Sequence, residues 1–381
     1  MVDGFRSTLW VRMLFRRRWF IVVRNYIKLF FPRAPQLYPM VDDRDQLDNA
    51  EKVVISWPEH YPKPKVGLVR DRREYPYWTK FERFLRNNQI PFDYYEVHQS
   101  NWVKAAGQYD VILWAPGEST NYVLQETRRK TYILEKFCGK ACFPSLDALM
   151  WNEDKLTQYE LLRMNNFPVI ETFISQDLDE ILKKLPQLEY PLVAKTAAGA
   201  GSVGVELVKD SRQAERISKA VFSAVGRETF WSYFRQKNYV YFQKFLPNEG
   251  YDLRVIAVGN RVFGYYRDVP QSEFRASGMG LVRKEALPAD AVQLAMELIK
   301  KLDLVIASVD MLRDNTGKLH IIEMSAFITV ETPEQLHVNG LPGAYVFDSS
   351  GLHHFEPGKF WIQELALSEF FKRWLLKQKA S

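Results

Sequence analysis

Lys195 is followed by a run of small residues, Thr196 to Gly204, that contains "GAGSVG" between Gly199 and Gly204. Small residues let backbone N–H groups close over a polyphosphate without side chains intervening, and the lysine supplies a fixed positive charge. Further on, Asp310 in "IASVDMLRD" and Glu323 in "KLHIIEMSA" flank the turn "RDNTG". A hairpin folded about Thr316 and Gly317 sets the two carboxylates almost opposite on one face, which Ser325 shares with Glu323. Like charges across strands are unfavourable. A magnesium ion would remove that repulsion, and magnesium held by one or two carboxylates plus substrate phosphates is the usual arrangement at an ATP site. On the residues alone two plainer readings stay open: a glycine-rich hairpin with no ligand, and an acidic hairpin neutralised by nearby arginines.

Other phosphate loops fail on context. A Rossmann fingerprint opens a helix and is followed about 20 residues later by an acidic residue. Here "VGVELVKD" alternates like a strand, and position 224 is Ala224. A kinase loop needs its lysine on the following strand, with H-R-D and D-F-G motifs beyond. Lys195 precedes the loop, and neither motif occurs. No Gly-Lys-Ser/Thr ending marks a Walker A loop.

The elements that must position these residues begin after a proline-containing acidic stretch, "APQLYPMVDDRDQLDNAEK". Lys65 to Val69, Phe92 to Val97 and Tyr109 to Ala115 read as strands. Trp78 to Asn88 and Asn121 to Phe137 read as helices. Strands alternating with helices imply a parallel sheet, so residues 53–148 form a small α/β domain. Tyr239 to Val269 then reads as three short strands of an antiparallel meander, turning at Pro247-Asn248-Glu249-Gly250 and at Gly259-Asn260. A helix from Ala289 to Leu302 precedes the strands Val305 to Leu312 and Lys318 to Met324. The C-terminal "WIQELALSEFFKRWLLKQK" reads as an amphipathic helix that serves packing or an interface.

With 381 residues, 46% hydrophobic and 14% aromatic, the chain can fill two or three globular cores, and disorder is excluded. Much of the excess of six positive charges lies before residue 40, so charge gives no argument for nucleic acid. Cys138 and Cys142 have no matching ligand pair elsewhere for zinc and read as reduced, packed thiols, which suits the cytoplasm. No run approaches the ~20 apolar residues of a membrane span. In the opening segment Val11, Phe15, Trp19, Val22, Tyr26 and Phe30 share one helical stripe, opposite Arg6, Arg17, Arg24 and Lys28. Such a helix lies in a membrane interface, here on the inner face, or docks on the protein's own body or a second subunit of a homo-oligomer.

The order of these pieces resembles the ATP-grasp superfamily, in particular the branch of the ribosomal-protein glutamate ligases, from about residue 63 to 330. "WNEDKLTQYELLRMNNFPVIETF" is similar to the family's opening helix, and "PLVAKTAAGAGSVGV" to its lysine and glycine loop. The resemblance implies that Lys155 and Lys195 meet the nucleotide phosphates, with Gly199, Gly201, Ser202 and Gly204 in the loop. "YFQKFLPNEGYDLRVIAVG" resembles the adenine hinge, Gln243, Lys244, Phe245 and Leu246, followed by the D-x-R strand of Asp252 and Arg254. Asp252 would contact the nucleotide, Arg254, Arg267 and Arg275 would stabilise an acyl-phosphate, and Asp310, Glu323 and Ser325 would hold magnesium. The family has asparagine where Ser325 and Ser277 stand, and a serine hydroxyl is a weaker magnesium ligand.

The fold class so implied is α/β and α+β. A parallel pre-ATP-grasp domain (53–148) precedes an antiparallel ATP-grasp domain (149–330) whose glycine-loop subdomain spans about 168–240. Around them lie a basic helix (1–33), a linker (34–52) and an extension (331–381) whose first part shapes the acceptor pocket. The implied activity is ADP-forming ligation of a carboxylate to an amine, with ATP and magnesium. The expected substrate is an amino acid joined to a carboxylate on a cell-envelope or capsular glycan. A nucleotide-binding module without ligase activity and an ATP-grasp kinase are the alternatives.

Overall fold

The structure is a computed structural model that describes residues 22, 23, 26, 27, 40–71, 75–116, 121–199, 204–229, 234–247, 249–271, 273–276, 279–327 and 334–380. The glycine-loop positions Gly201 and Ser202, the Ser277 position, and almost all of the N-terminal amphipathic segment lie outside them. No helix among the described residues is long and apolar enough to cross a membrane.

The first layer is a parallel sheet of β1 (Val66–Leu68), β2 (Phe92–Tyr94), β3 (Val111–Leu113) and β4 (Ala141–Phe143), in the order β2-β1-β3-β4. Its central strands are buried on both faces, as the unbroken apolar runs require. The helices Trp78–Asn87 and Asn121–Lys136 accompany it. Cys142 is buried, Cys138 half-buried, and both are free thiols.

A second sheet comprises β5 (Thr172–Ser175), β6 (Leu192–Ala194), β7 (Glu206–Val208) and, after the short pair β8 (Arg227–Glu228) and β9 (Arg235–Gln236), β10 (Val240–Lys244). Their order is β5-β10-β6-β7, all antiparallel, and β6 and β7 carry the glycine loop between them. The largest sheet contains β11 (Tyr251–Val258), β12 (Arg261–Asp268), β13 (Val282–Arg283), β14 (Ile306–Arg313), β15 (Leu319–Ser325), β16 (His337–Val338), β17 (Leu341–Phe347) and β18 (His353–Pro357). Along it the order is β15-β14-β11-β12-β17-β16, with β13 on β12 and β18 on β17. The helix Ala289–Lys301 covers this sheet with Val292, Ala295, Met296 and Ile299, which recur at helical spacing.

The three-strand meander expected over Tyr239 to Val269 does not form. β10 pairs with β5 and β6, whereas β11 and β12 pair with each other in the large sheet. Local turn chemistry at Pro247 to Gly250 suggested a hairpin, but the apolar face of β10 is consumed by the smaller core of Ile181, Leu192, Val208, Ile217 and Phe242. Residues 245–250 therefore carry the chain from one sheet to the other.

Two other segments depart from expectation. The C-terminal helix Ile362–Ala380 is buried nearly all round as far as Phe371, and beyond it Leu375 is still buried while Lys372 and residues 376–379 are exposed. Phe371 stacks on Phe84 of Trp78–Asn87 at 5.9 Å between ring centroids, so the helix completes the core of the first domain instead of lying on it by one stripe. The described part of the expected linker is also packed. Leu47 is buried, Asp43 pairs with the buried Lys80, and Glu51 N–H donates to the Lys359 carbonyl at 2.7 Å.

Candidate active site

A cleft opens between the second sheet and the large sheet. It gathers Lys155, Lys195, Gly199, Gln243, Lys244, Phe245, Leu246, Asp252, Arg267, Arg275, Asp310 and Glu323, which come from segments spread over 169 positions of the chain. Arg254 joins them through Asp310.

The floor is built by register. Arg254 on β11 faces Asp310 on β14, which faces Glu323 on β15, and Asp252 on β11 faces Arg267 on β12. Residues two apart on a strand share a face, so two rows of charge lie side by side. Arg254 donates from Nε and Nη2 to the two oxygens of Asp310 at 2.8 and 2.9 Å, and Arg267 donates to Asp252 at 2.6 and 3.0 Å. Arg267 Nη2 also reaches Asp310 Oδ2 at 2.7 Å. Burial opposes ionisation of Asp310, but the two guanidiniums hold its carboxyl well below the usual range. Burial pushes the neighbouring Asp252 up to about 6, against the pull of Arg267.

Backbone details make this row possible. At Gly264, opposite Val255, a Cβ would fall 2.3 Å from the Arg254 carbonyl oxygen, so only glycine lets β12 approach β11 this closely. The register of β14 and β15 slips between Asp310 and Met311. That bulge leaves Ile322 unpaired, and both Ile322 and Glu323 line the cleft although they are adjacent in sequence.

The opposite wall begins at Asp154, whose carboxylate caps the helix Lys155–Met164 by accepting from Leu156 and Thr157 N–H at 3.2 and 3.3 Å. Lys155, its first residue, donates to Glu323 Oε1 at 2.8 Å and to the Gly199 carbonyl at 3.1 Å. Burial disfavours its charge, yet Glu323 and Glu153 hold its pKa above the ordinary value. Lys195 is buried too, beside the Tyr241 ring at 6.0 Å, and makes no ion pair among the described residues. Burial lowers its pKa to about 8. The glycine loop is tied down where it starts. Tyr239 Oη accepts from Ala197 N–H at 2.7 Å, and at Gly204, with φ of 87°, a Cβ would meet Thr196 Oγ1 at 2.5 Å.

The hinge residues separate by strand alternation. Gln243 points inward and donates to Thr172 Oγ1 at 3.3 Å, whereas Lys244 points outward to Glu189 at 2.6 Å. Any nucleotide contact of Lys244 must therefore come through its backbone. Phe245 and Phe274 meet edge-on at 6.3 Å across the mouth, and Arg275 is held by Glu273 at 2.8 Å.

Asp310 and Glu323 are direct cross-strand partners, as the turn implied, but their repulsion is relieved by Arg254, Arg267 and Lys155. This matches the plainer of the two readings of that hairpin. An oxygen-only set of two carboxylates and the Ser325 hydroxyl still suits a hard divalent cation that shares further ligands with phosphate. A cluster of three or more metal-ligating His, Cys, Asp or Glu side chains does not occur among the described residues. A polyphosphate fits on separate grounds: among the described residues Arg267 Nη1 is buried with no hydrogen-bond partner, and Lys195 is a buried cation in no ion pair. Sequence reasoning passed over Glu153, Tyr239, Tyr241 and Thr172, because an acid ahead of a helix reads as a cap and a tyrosine on a strand reads as core.

Two sheets closing on a cleft of this charge pattern define an ATP-grasp protein. Its fold is shared with a RimK domain ATP-grasp protein from Sphaerobacter thermophilus, at a TM-score of 0.52 and 18% identity over 70% of this chain and 92% of that one. A Chryseobacterium gregarium RiPP-associated ATP-grasp ligase has the same fold, with a TM-score of 0.50 and 13% identity over 70% of this chain and 90% of that one. Residues 152–339 match the RimK-like ATP-grasp domain. A probable alpha-L-glutamate ligase of Haemophilus influenzae is 26% identical over 262 residues, covering 66% of this chain and 80% of the relative. The glutamate–LysW ligase ArgX of Sulfurisphaera tokodaii is 26% identical over 196 residues, 51% and 64% of the two chains. The chain is thus an ATP-dependent ligase with a RimK-like ATP-grasp domain.

Proposed function

We propose that the protein forms an amide between a carboxylate and the amino group of an amino acid, by way of an acyl-phosphate. The observation that carries this reading is the presence in one cleft of a buried Lys195 that makes no ion pair, and an Arg267 Nη1 that makes no hydrogen bond, among the described residues. Both are cationic groups prepared for anionic oxygens that the protein does not itself supply.

In the reaction a carboxylate oxygen of the acceptor attacks the γ-phosphorus of ATP, the bond to the bridging oxygen breaks, and ADP leaves. The amine then attacks the acyl carbon, phosphate departs with the C–O electron pair, and the nitrogen loses a proton. Lys155 and Lys195 hold phosphate oxygens, and Gln243 to Leu246 bound the base. Arg267, Arg254 and Arg275 face the developing negative charge, and fixed placement of reactants does most of the work. Asp310, Glu323 and Ser325 would hold magnesium, which neutralises phosphate charge when bound.

Relatives named for glutamate ligation point to an α-amino acid as the amine. The finer reading, an acceptor carboxylate on a cell-envelope or capsular glycan, rests on the basic aromatic N-terminal stripe. Magnesium-dependent ADP release against a panel of amino acids and carboxylates, with product masses, tests both. Amino-acid-dependent ADP release with a condensation product supports the ligase. A phosphorylated acceptor without condensation would replace the amide chemistry with phosphoryl transfer. Equal activity on soluble uronates after removal of residues 1–39 would remove the motive for the glycan surface.

A further inference from the structure

Glu153 precedes the helix cap Asp154 and has a φ of 53°. Among the described non-glycine residues with positive φ, only Gln89 is likewise neither Asn nor Asp. Short Asn and Asp side chains hydrogen-bond locally in this region, whereas glutamate gains nothing from it, so the conformation costs free energy and must be imposed. Arg128 imposes it from the neighbouring helix, donating to the Leu149 and Asn152 carbonyls at 2.8 and 2.7 Å.

The turn aims the Glu153 side chain at the glycine loop. Its Oε2 accepts from Gly199 N–H at 3.2 Å, while Lys155 Nζ donates to the carbonyl of the same glycine at 3.1 Å. A carboxylate thus takes the loop N–H group that a phosphate oxygen would otherwise use, next to the lysine that would meet the same phosphate. We infer that the Glu153 carboxyl group latches the Gly199 end of the glycine loop while the cleft is empty, and that an entering nucleotide must displace it. The inference rests on the nucleotide reading of the cleft. It explains why a strained position carries an acid where glycine or asparagine would cost less, and what holds Gly199 before the ligand arrives.

The test is ADP binding by calorimetry to wild type, Glu153→Gln and Glu153→Ala, with and without magnesium, beside hydrogen exchange of the segment containing Gly199. Glu153→Ala is expected to bind ADP about tenfold more tightly whether or not magnesium is present, the scale of one hydrogen bond, and Glu153→Gln, whose amide oxygen still accepts from Gly199 N–H, by less. In Glu153→Ala the Gly199 segment should exchange faster than wild type when empty and equally when ADP is bound. Unchanged or weaker affinity in both variants, or unchanged exchange in the empty protein, would overturn the latch. Weakening confined to magnesium would overturn it in favour of a metal ligand. Wild-type protein that binds no ADP would remove the nucleotide reading and the latch together.

Discussion

On the large sheet Asp252, Arg254, Arg267 and Asp310 are each held by at least two hydrogen bonds to an opposite charge, as in Asp310 between Arg254 and Arg267. Across the cleft, Lys155 makes one ion pair, to Glu323, and one hydrogen bond, to the Gly199 carbonyl, Gly199 N–H has one acceptor in Glu153, and Lys195 makes no ion pair among the described residues. The first wall is a preorganised electrostatic surface. The second is assembled from groups that a ligand can re-partner. Charges that stabilise the transferred phosphoryl group gain from rigidity, while those that close over the nucleotide must let go when it leaves.

The contrast is most easily broken at Asp310. Asp310→Ala leaves two buried guanidiniums without their shared partner. It should cost about 3–5 kcal/mol of stability and abolish measurable ADP release, read by thermal unfolding and turnover. On the mobile-partner side, Lys155→Met should lower kcat/KM for ATP by about a hundredfold. Its melting temperature should fall much less than that of Asp310→Ala, because Glu323 keeps access to water. Similar losses of stability in the two variants would erase the distinction between the walls.

Lys195 sharpens the comparison through pH. Its pKa in the folded protein, about 8 through burial, lies below the ordinary lysine value. It is therefore largely protonated at neutral pH and loses its charge above pH 8. Nucleotide phosphate favours the protonated form, so ADP affinity should fall as pH rises past 8, by up to about tenfold per unit. Lys195→Arg should remove this dependence, since guanidinium stays charged. The unliganded protein should move the other way. Between pH 8 and the unfolded lysine value the unfolded chain binds the extra proton, so stability rises with pH in that window. The smallest effect is expected at Ser325. Ser325→Asn should raise magnesium-supported turnover a few-fold and leave stability within about 0.5 kcal/mol, and a drop in turnover would show that the hydroxyl is the better ligand here.

Much of this architecture was legible because it is local. Alternation and turn residues placed β14, β15 and the loop between β6 and β7, and Asp310 does face Glu323. Two kinds of information were not local. The partner of β10 depends on which core takes its apolar face, and "LPNEGYD" reads equally well as a hairpin turn and as a crossing between sheets. The neutralisation of Asp310 depends on the register of three strands together, which a pairwise view of one hairpin omits. Glu153 was invisible for a related reason: its role comes from a backbone angle, and no residue type announces one.

The burial of the C-terminal helix against Trp78–Asn87 has a consequence in time. Arg83 Nε reaches Glu364 Oε1 at 2.6 Å across 281 positions of sequence. Synthesis at about 5–20 residues per second therefore separates the two partners by roughly 15 to 55 s. From the emergence of β4 onward the parallel sheet has its strands but lacks the aromatic cover supplied by Phe370 and Phe371. The parallel-sheet domain thus emerges well before the helix that finishes it. A growing chain exposes Phe84 and Phe143 until Phe370 and Phe371 arrive, which is the period in which a chaperone would have most to shield.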